Sequence, residues 1–235
     1  METLGHDVVP TTPRMAANRP GRAGLTSAEP EERMRAARPG DLTPRSSASI
    51  VLLGIDGVGK TTTAEAVAQA ARDSDTPVIV LRNPAGRRWL GRVSARFEIE
   101  LPVRWTDRFE TVVRTVNVLA SKVRAWHRDG LVIIDRHLVC QLVLRQVRGL
   151  PQGRFLPWMA HALLGADTVV VLDVPAEVAY ERIRARGEDS ESLDFLRATR
   201  AAYVEMAQNQ GWGVVDATGP TDAITRHIRE ITGPR

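Results

Sequence analysis

The chemistry of this chain concentrates in one stretch, Gly54-Ile55-Asp56-Gly57-Val58-Gly59-Lys60-Thr61-Thr62, which follows the apolar run Ile50-Val51-Leu52-Leu53 and opens an Ala-rich segment. It fits G-x-x-x-x-G-K-[ST] in the strand, loop, helix order that a phosphate-binding loop needs. Glycines at 54, 57 and 59 allow positive φ, so that successive main-chain N–H groups along the loop point inward around a phosphate at a helix N-terminus. Lys60 would bridge the β- and γ-phosphates of a nucleotide, and the Thr61 hydroxyl would hold Mg²⁺. A glycine-rich turn before an ordinary helix is the bland alternative. Against it, the chain has only two lysines, Lys60 and Lys122, and one of them completes the motif.

Other polar residues stand where hydrophobic runs end. Leu131-Val132-Ile133-Ile134 leads into Asp135-Arg136-His137. A carboxylate ending a buried strand beside a phosphate loop can bind Mg²⁺ through water or accept a proton, and an adjacent arginine can clamp a phosphate bidentately. The competing interpretation is a strand-ending charge pair that satisfies itself locally. His137 is weaker evidence, since a lone histidine more often packs or hydrogen-bonds than catalyses. Arg82-Asn83-Pro84-Ala85-Gly86-Arg87-Arg88 follows another apolar run and forms a cationic turn that either seats an acceptor's phosphate or lies in solvent. Arg114 and Asn117 share a helix face and could meet a base, although solvation is the default there; Gln141 completes the candidate acceptor set. Arg182, Arg184 and Arg186 precede Gly187-Glu188-Asp189-Ser190. Spaced by two, they cannot share one helical face, which suits a lid over about 182–192 whose arginines converge on a transferred phosphoryl group.

These groups need a frame to bring them together. The runs Ile50–Leu53, Val78–Leu81, Leu131–Ile134, Thr168–Leu172 and Gly213–Val215 alternate with helix-length segments. That is the pattern of an α/β fold in three α/β/α layers with a five-stranded parallel sheet covered on both faces. Crossovers should be right-handed and the site should lie at the carboxyl ends of the strands. The long segment Arg104–Arg128 carries Val112, Val113, Val116, Leu119, Ala120 and Val123 at helical spacing, which predicts that these residues are core. Ala176–Arg186 and Glu191–Gln208 read as helices, the second with Leu193, Leu196, Tyr203 and Met206 inward, and a final helix starts at Thr221.

Composition removes several classes. A chain of 235 residues with 43% hydrophobic content suits one sizeable domain and is too short for two comfortable ones. The charge of +4 and pI near 9.9 are carried by arginine. Arginines also serve nucleotide phosphates, and no Lys/Arg-rich block appears, so no nucleic-acid partner is expected. The single cysteine, Cys140, excludes an intrachain disulfide and a cysteine zinc site and fits a reducing cytosol; its bland role is a small apolar filler. No run approaches the roughly 18 apolar residues of a membrane helix, and the N-terminus lacks a hydrophobic core preceded by basic residues, so a cytoplasmic protein without a membrane partner is expected. Residues 1–48 are rich in Pro, Arg, Ser, Thr and Gly without apolar periodicity, which predicts a disordered tail ahead of a domain at 49–235. With seven arginines against six acids the tail is no polybasic arm, and a dispensable extension or an over-long start is the better expectation.

From about residue 50 to 232 these residues resemble the thymidylate kinase family of nucleoside-monophosphate kinases. Gly54 to Thr62 resembles the family's phosphate loop with its internal Asp, Arg82-Asn83-Pro84-Ala85-Gly86 its Arg-Glu-Pro-Gly turn, and Asp135-Arg136-His137 its Asp-Arg-Tyr. Leu172-Asp173-Val174-Pro175, the Arg-x-Arg-x-Arg-Gly at 182–187 and Ser192-Leu193-Asp194-Phe195-Leu196 resemble the segments leading into and out of its lid. The resemblance implies a P-loop NTPase-type fold and Mg²⁺-dependent transfer of the γ-phosphoryl group of ATP to a nucleoside monophosphate, dTMP or a related pyrimidine nucleotide. By the same resemblance Arg82 and Arg136 hold the acceptor phosphate, and Asp56 approaches the acceptor's sugar and phosphate. Arg182, Arg184 and Arg186 close over ATP, Arg186 also lying against adenine, while Ala217 and Thr218 offer backbone to the adenine edge. A homodimer formed by helices is implied as well.

Departures from the family pattern cluster around the acceptor. Asn83 stands for its Glu, His137 for its Tyr, and Leu144 where it places a tyrosine against the sugar; Thr115 falls where it has a base-reading arginine, with Arg114 beside it. The lid is shorter after Gly187. Intact phosphate machinery with altered base and sugar contacts leaves the acceptor open between dTMP itself and a related pyrimidine nucleotide. Two other functions fit less well: a kinase of a nucleoside or other small hydroxyl compound, which would want Asp135 as base, and a non-catalytic nucleotide-binding module, in which three lid arginines have no purpose.

Overall fold

A computed structural model describes residues 48–83, 102–126, 128–187 and 191–232, all within the compact unit Pro44–Arg235. The expected tail up to residue 47, the Pro84–Arg88 part of the cationic turn and residues 188–190 of the expected lid lie outside the described residues.

Five strands, β1 (Ala48–Leu53), β2 (Val78–Arg82), β3 (Leu131–Asp135), β4 (Thr168–Asp173) and β5 (Gly213–Asp216), form one sheet in the order β2-β3-β1-β4-β5. Every pairing is parallel, as the near-continuous apolar runs require, because a parallel sheet is buried on both faces. Residues 50–53 and 132–134 are no more than 2% exposed and form the centre of the core. Each strand outside β1 runs one residue beyond its apolar run, to Arg82, Asp135, Asp173 and Asp216, while β1 begins at Ala48. Register sets Asp135 beside Leu52 and Arg82, and Asp173 beside Asp216. All these polar residues therefore line one edge of the sheet, its carboxyl edge.

Seven helices occur among the described residues: α1 (Lys60–Arg72), α2 (Val103–Trp126), α3 (Val139–Val147), α4 (Phe155–Leu164), α5 (Ala176–Ala185), α6 (Leu193–Gln210) and α7 (Thr221–Thr232). Helix α1 packs on α7 and on the three strands β1, β2 and β3, while α6 gathers α3 and α5. Sequence patterning assigns no element to 136–165; α3 and α4 fill it, joined by a turn rich in Gly and Pro. Helix α6 starts at Ser192, whose hydroxyl accepts from the Phe195 N–H, and stops at Gly211 in the left-handed conformation.

Helix α2 reverses the expected arrangement. Val112, Val116, Leu119 and Val123, expected in the core, are 44–61% exposed, and the buried positions are Asp107, Glu110, Arg114, Val118 and Ser121. The reason is chemical. The inward face meets α3, where Arg145 on the helix and Arg148 at its C-terminal cap pair with Asp107 and Glu110, and buried charges are tolerated only when so paired.

Candidate functional site

The phosphate loop leaves β1 and enters α1 through three glycines at φ 135, 82 and 101. At Gly57 a Cβ would lie 2.5 Å from the Ala179 carbonyl oxygen on α5, so the backbone of that helix excludes any side chain. At Gly59 a Cβ would meet nothing within 4 Å, and the left-handed residue instead serves to start α1, whose first turn has no side-chain cap. Uncapped N–H groups at a helix start are an anion site. The buried Lys60 ammonium donates to the carbonyls of Gly54 (3.0 Å) and Ile55 (2.6 Å) and stands 3.7 Å from Asp56. Burial, then the neighbouring Arg136, lowers its pKa to about 8 against the pull of Asp56 and Asp135. A cation desolvated to this degree favours a polyanion as partner.

At the end of β3, Asp135 Oδ2 accepts from the Thr61 hydroxyl at 2.8 Å, while its Oδ1 is buried with no hydrogen-bond partner. A threonine hydroxyl beside a carboxylate with a free oxygen is a donor set for a hard cation. Among the described residues no group of three or more His, Cys, Asp or Glu could hold a metal, so a cation here would share its coordination with phosphate oxygens and water. Arg136 follows at φ 74, a left-handed conformation that costs a non-glycine residue about 1–2 kcal/mol. Its guanidinium donates to Asp56; burial opposes the charge, but Asp56 raises the pKa overall. His137 is fully buried and its pKa is lowered to about 3 by burial, Lys122 and Arg114. It is a neutral packing residue whose Nδ1 accepts from the Val139 N–H.

The candidate acceptor residues separate into two groups. Arg136 and Asp56 meet directly, whereas the half-exposed Arg82 turns to Glu65 on α1. Arg114, expected in solvent by default, is 1% exposed, and its Nε and Nη1 have no hydrogen-bond partner. Gln141 is buried beside Asp107, to which its Nε2 donates at 2.7 Å, leaving Oε1 without a partner. Because the carboxylate can only accept, the amide nitrogen must face it. Asp107 also takes a hydrogen bond from Arg145 Nε at 2.8 Å. The sequence signal for this web is the 107, 110, 114 spacing of charged residues on one helix face, overlooked in favour of the valines.

On the other side of the loop, Arg182 reaches from α5 to the carbonyls of Val58 (3.3 Å) and Ala217 (3.4 Å). Arg184 lies over the Tyr180 ring, 5.8 Å from its centroid, and Arg186 closes the C-terminus of α5. Of the three arginines, Arg182 is the one that the structure sets against the Ala217 carbonyl. Ala217 is fixed by its N–H to the Asp173 carbonyl (2.8 Å), and the Thr218 N–H donates to Asp216. Arg200 grips Asp173 with two hydrogen bonds of 2.7 Å.

The family model for thymidylate kinase matches residues 53–228. The chain is 29% identical over 185 residues to the "Probable thymidylate kinase" of Archaeoglobus fulgidus, covering 77% of this chain and 93% of that protein. It is 30% identical over 203 residues to the thymidylate kinase of Xanthomonas campestris pv. campestris (strain B100), covering 81% of this chain and 85% of that one. The matched region spans the phosphate loop, the Asp135-Arg136 pair and the Arg182 contact, so the chain belongs to the thymidylate kinase family and is a nucleoside-monophosphate kinase.

Proposed function

We propose that this kinase uses ATP and Mg²⁺ to phosphorylate a pyrimidine nucleoside monophosphate, dTMP or a close relative of it. The observation that carries the proposal is the meeting at one sheet edge of Lys60, the Thr61–Asp135 pair and the Arg136–Asp56 pair. An oxygen of the acceptor phosphate forms a bond to the γ-phosphorus as the bond to the β–γ bridging oxygen breaks, leaving ADP. The acceptor is already anionic, so no strong base is required. The difficulty is that two anions must approach, and catalysis is positioning and neutralisation. Lys60 and the loop amides hold the donor phosphates, Arg136 with Asp56 places the acceptor phosphate, and Arg184 and Arg186 supply charge from the lid. Thr61 and Asp135 would hold Mg²⁺, which would supply neutralisation of the donor phosphates.

Arg182 and the main chain of Ala217 and Thr218 form the adenine side. Unpaired donors on Arg114 and the unpaired Oε1 of Gln141 complement a base carrying a carbonyl beside a ring N–H, which thymine and uracil have and cytosine lacks. Leu144 presents no hydroxyl toward a sugar, so the 2′-position is weakly discriminated. Purified protein incubated with ATP, Mg²⁺ and dTMP, dUMP, UMP and CMP in turn tests this. Diphosphate formation from the thymine and uracil nucleotides is expected, and no diphosphate from any acceptor refutes it.

The partner is a second copy of the chain, seated on the exposed stripe Val112, Val116, Leu119 and Val123 of α2; a monomer mass in sedimentation at micromolar concentration refutes that. Cytoplasmic location fits the buried free thiol of Cys140, and no described helix is long and apolar enough to cross a membrane.

A further inference from the structure

Resting on the phosphate-clamp role given to Arg136 above, we propose that Asn83 is a positioning residue that holds the Arg136 backbone in the left-handed conformation its clamp requires. Arg136 stands at φ 74, and a left-handed arginine persists only where its surroundings over-determine it. Fixing φ and ψ of a residue means fixing the two peptide planes on either side of its Cα. Asn83 grips both: its main-chain N–H donates to the Asp135 carbonyl at 3.0 Å, and its side-chain Nδ2 donates to the Arg136 carbonyl at 2.8 Å. The Arg136 N–H contributes only a longer bond to the Leu52 carbonyl, 3.3 Å, which constrains the first plane again and not the second.

The amide of Asn83 cannot turn over. Ser121 Oγ on α2 donates to Asn83 Oδ1 at 2.7 Å, and a flipped amide would set that oxygen against the Arg136 carbonyl oxygen. Asn83 and Ser121 are 1% and 2% exposed, so water does not compete for either bond. A carboxylate at 83, the residue type of the family pattern, has no donor for the Arg136 carbonyl. The asparagine therefore solves in this chain a backbone problem that a glutamate leaves open, and it ties Arg136 to the helix that carries Arg114.

Asn83→Ala and Asn83→Asp remove the second grip while leaving the first, and Ser121→Ala loosens the amide. With dTMP as the probe, the two Asn83 variants should raise KM for dTMP about tenfold, the loss expected when the competent conformer is disfavoured by about 1.4 kcal/mol, with KM for ATP changed by less than about twofold. Ser121→Ala should give an effect in the same direction but smaller, restored by Ser121→Thr. Thermal unfolding of Asn83→Ala in the wild-type and the Arg136→Gly backgrounds supplies a measure independent of turnover. Glycine at positive φ needs no support, so the fall in Tm should be at least halved in the Arg136→Gly background. A parallel rise of both KM values, or an equal Tm loss in the two backgrounds, overturns the proposal. If the wild type phosphorylates no monophosphate, the assigned function has failed, and the two-background Tm comparison alone decides whether Asn83 holds Arg136.

Discussion

Gly57 and Gly59 sit two residues apart in the phosphate loop, both at positive φ, yet alanine should damage them in different ways. Any L side chain at either position costs about 1–2 kcal/mol in backbone strain. At Gly57 the new Cβ also falls 2.5 Å from the Ala179 carbonyl oxygen, and moving helix backbone out of the way adds about 1–3 kcal/mol. For a domain of this size 1 kcal/mol is worth roughly 2–4 °C in Tm, so Gly57→Ala should unfold roughly 4–20 °C below wild type. Gly59→Ala meets nothing within 4 Å and should lose only the strain, roughly 2–8 °C. The strain instead falls on the left-handed residue that starts α1 and sets its uncapped N–H groups, and ADP affinity should drop by at least about tenfold, or 1.4 kcal/mol. Thermal unfolding without ligand and calorimetric titration with ADP separate the two. Wild-type ADP affinity in Gly59→Ala, or a Tm as low as that of Gly57→Ala, would show that the geometry assigned to the loop is wrong.

Asp135→Asn should lower Mg²⁺-dependent turnover by about 10²-fold or more, the scale of losing one preorganised electrostatic group, while metal-free ADP binding changes by less than about threefold; turnover near wild type excludes Asp135 from the cation site. Lys60, with its pKa lowered from 10.5 to about 8, disfavours its own charge by roughly 3 kcal/mol. In EDTA, ADP affinity should therefore be flat below pH about 8 and weaken by up to tenfold per unit above it, because a bound polyanion restores the proton that the lysine has given up; a flat profile to pH 9.5 contradicts the placement. The sign for stability agrees: the penalty for the charged form is fully present below pH about 8 and is relieved as pH rises toward 10.5. Asp107→Ala strands Arg145 and Gln141, and leaving a buried charge unpaired costs about 3–5 kcal/mol; a Tm within 3 °C of wild type would show that the web between α2 and α3 carries little.

Five parallel strands and the phosphate loop were legible because both are local statements: β-branched runs need only their own residues, and the loop needs only glycine, lysine and threonine in order. Asp135-Arg136 was legible for the same reason, as polar residues abruptly ending an apolar strand. Helix α2 was not. Its valines at 112, 116 and 123 give the same periodicity whether they face a core or a surface, and what inverted the helix was its partner α3, which brings Arg145 and Arg148 to Asp107 and Glu110, each 38 residues earlier in the chain. That Arg182 reaches the Ala217 carbonyl was not legible, because that contact depends on where α5 points. Asn83 stood out as a departure from the family pattern, but its job becomes visible only with the conformation of Arg136.

Helix α2 is fully committed around its circumference. Positions 107, 110, 114, 118 and 121 carry the inward web, and 112, 116, 119 and 123 carry the outward stripe, interleaved along a rod of roughly 36 Å. Inserting or deleting one residue inside that span rotates everything beyond it by about 100°, turning valines onto the arginines of α3 and carboxylates into water. The length of this helix is therefore frozen from 107 to 123, and in this part of the chain size can vary only in the connections on either side of it.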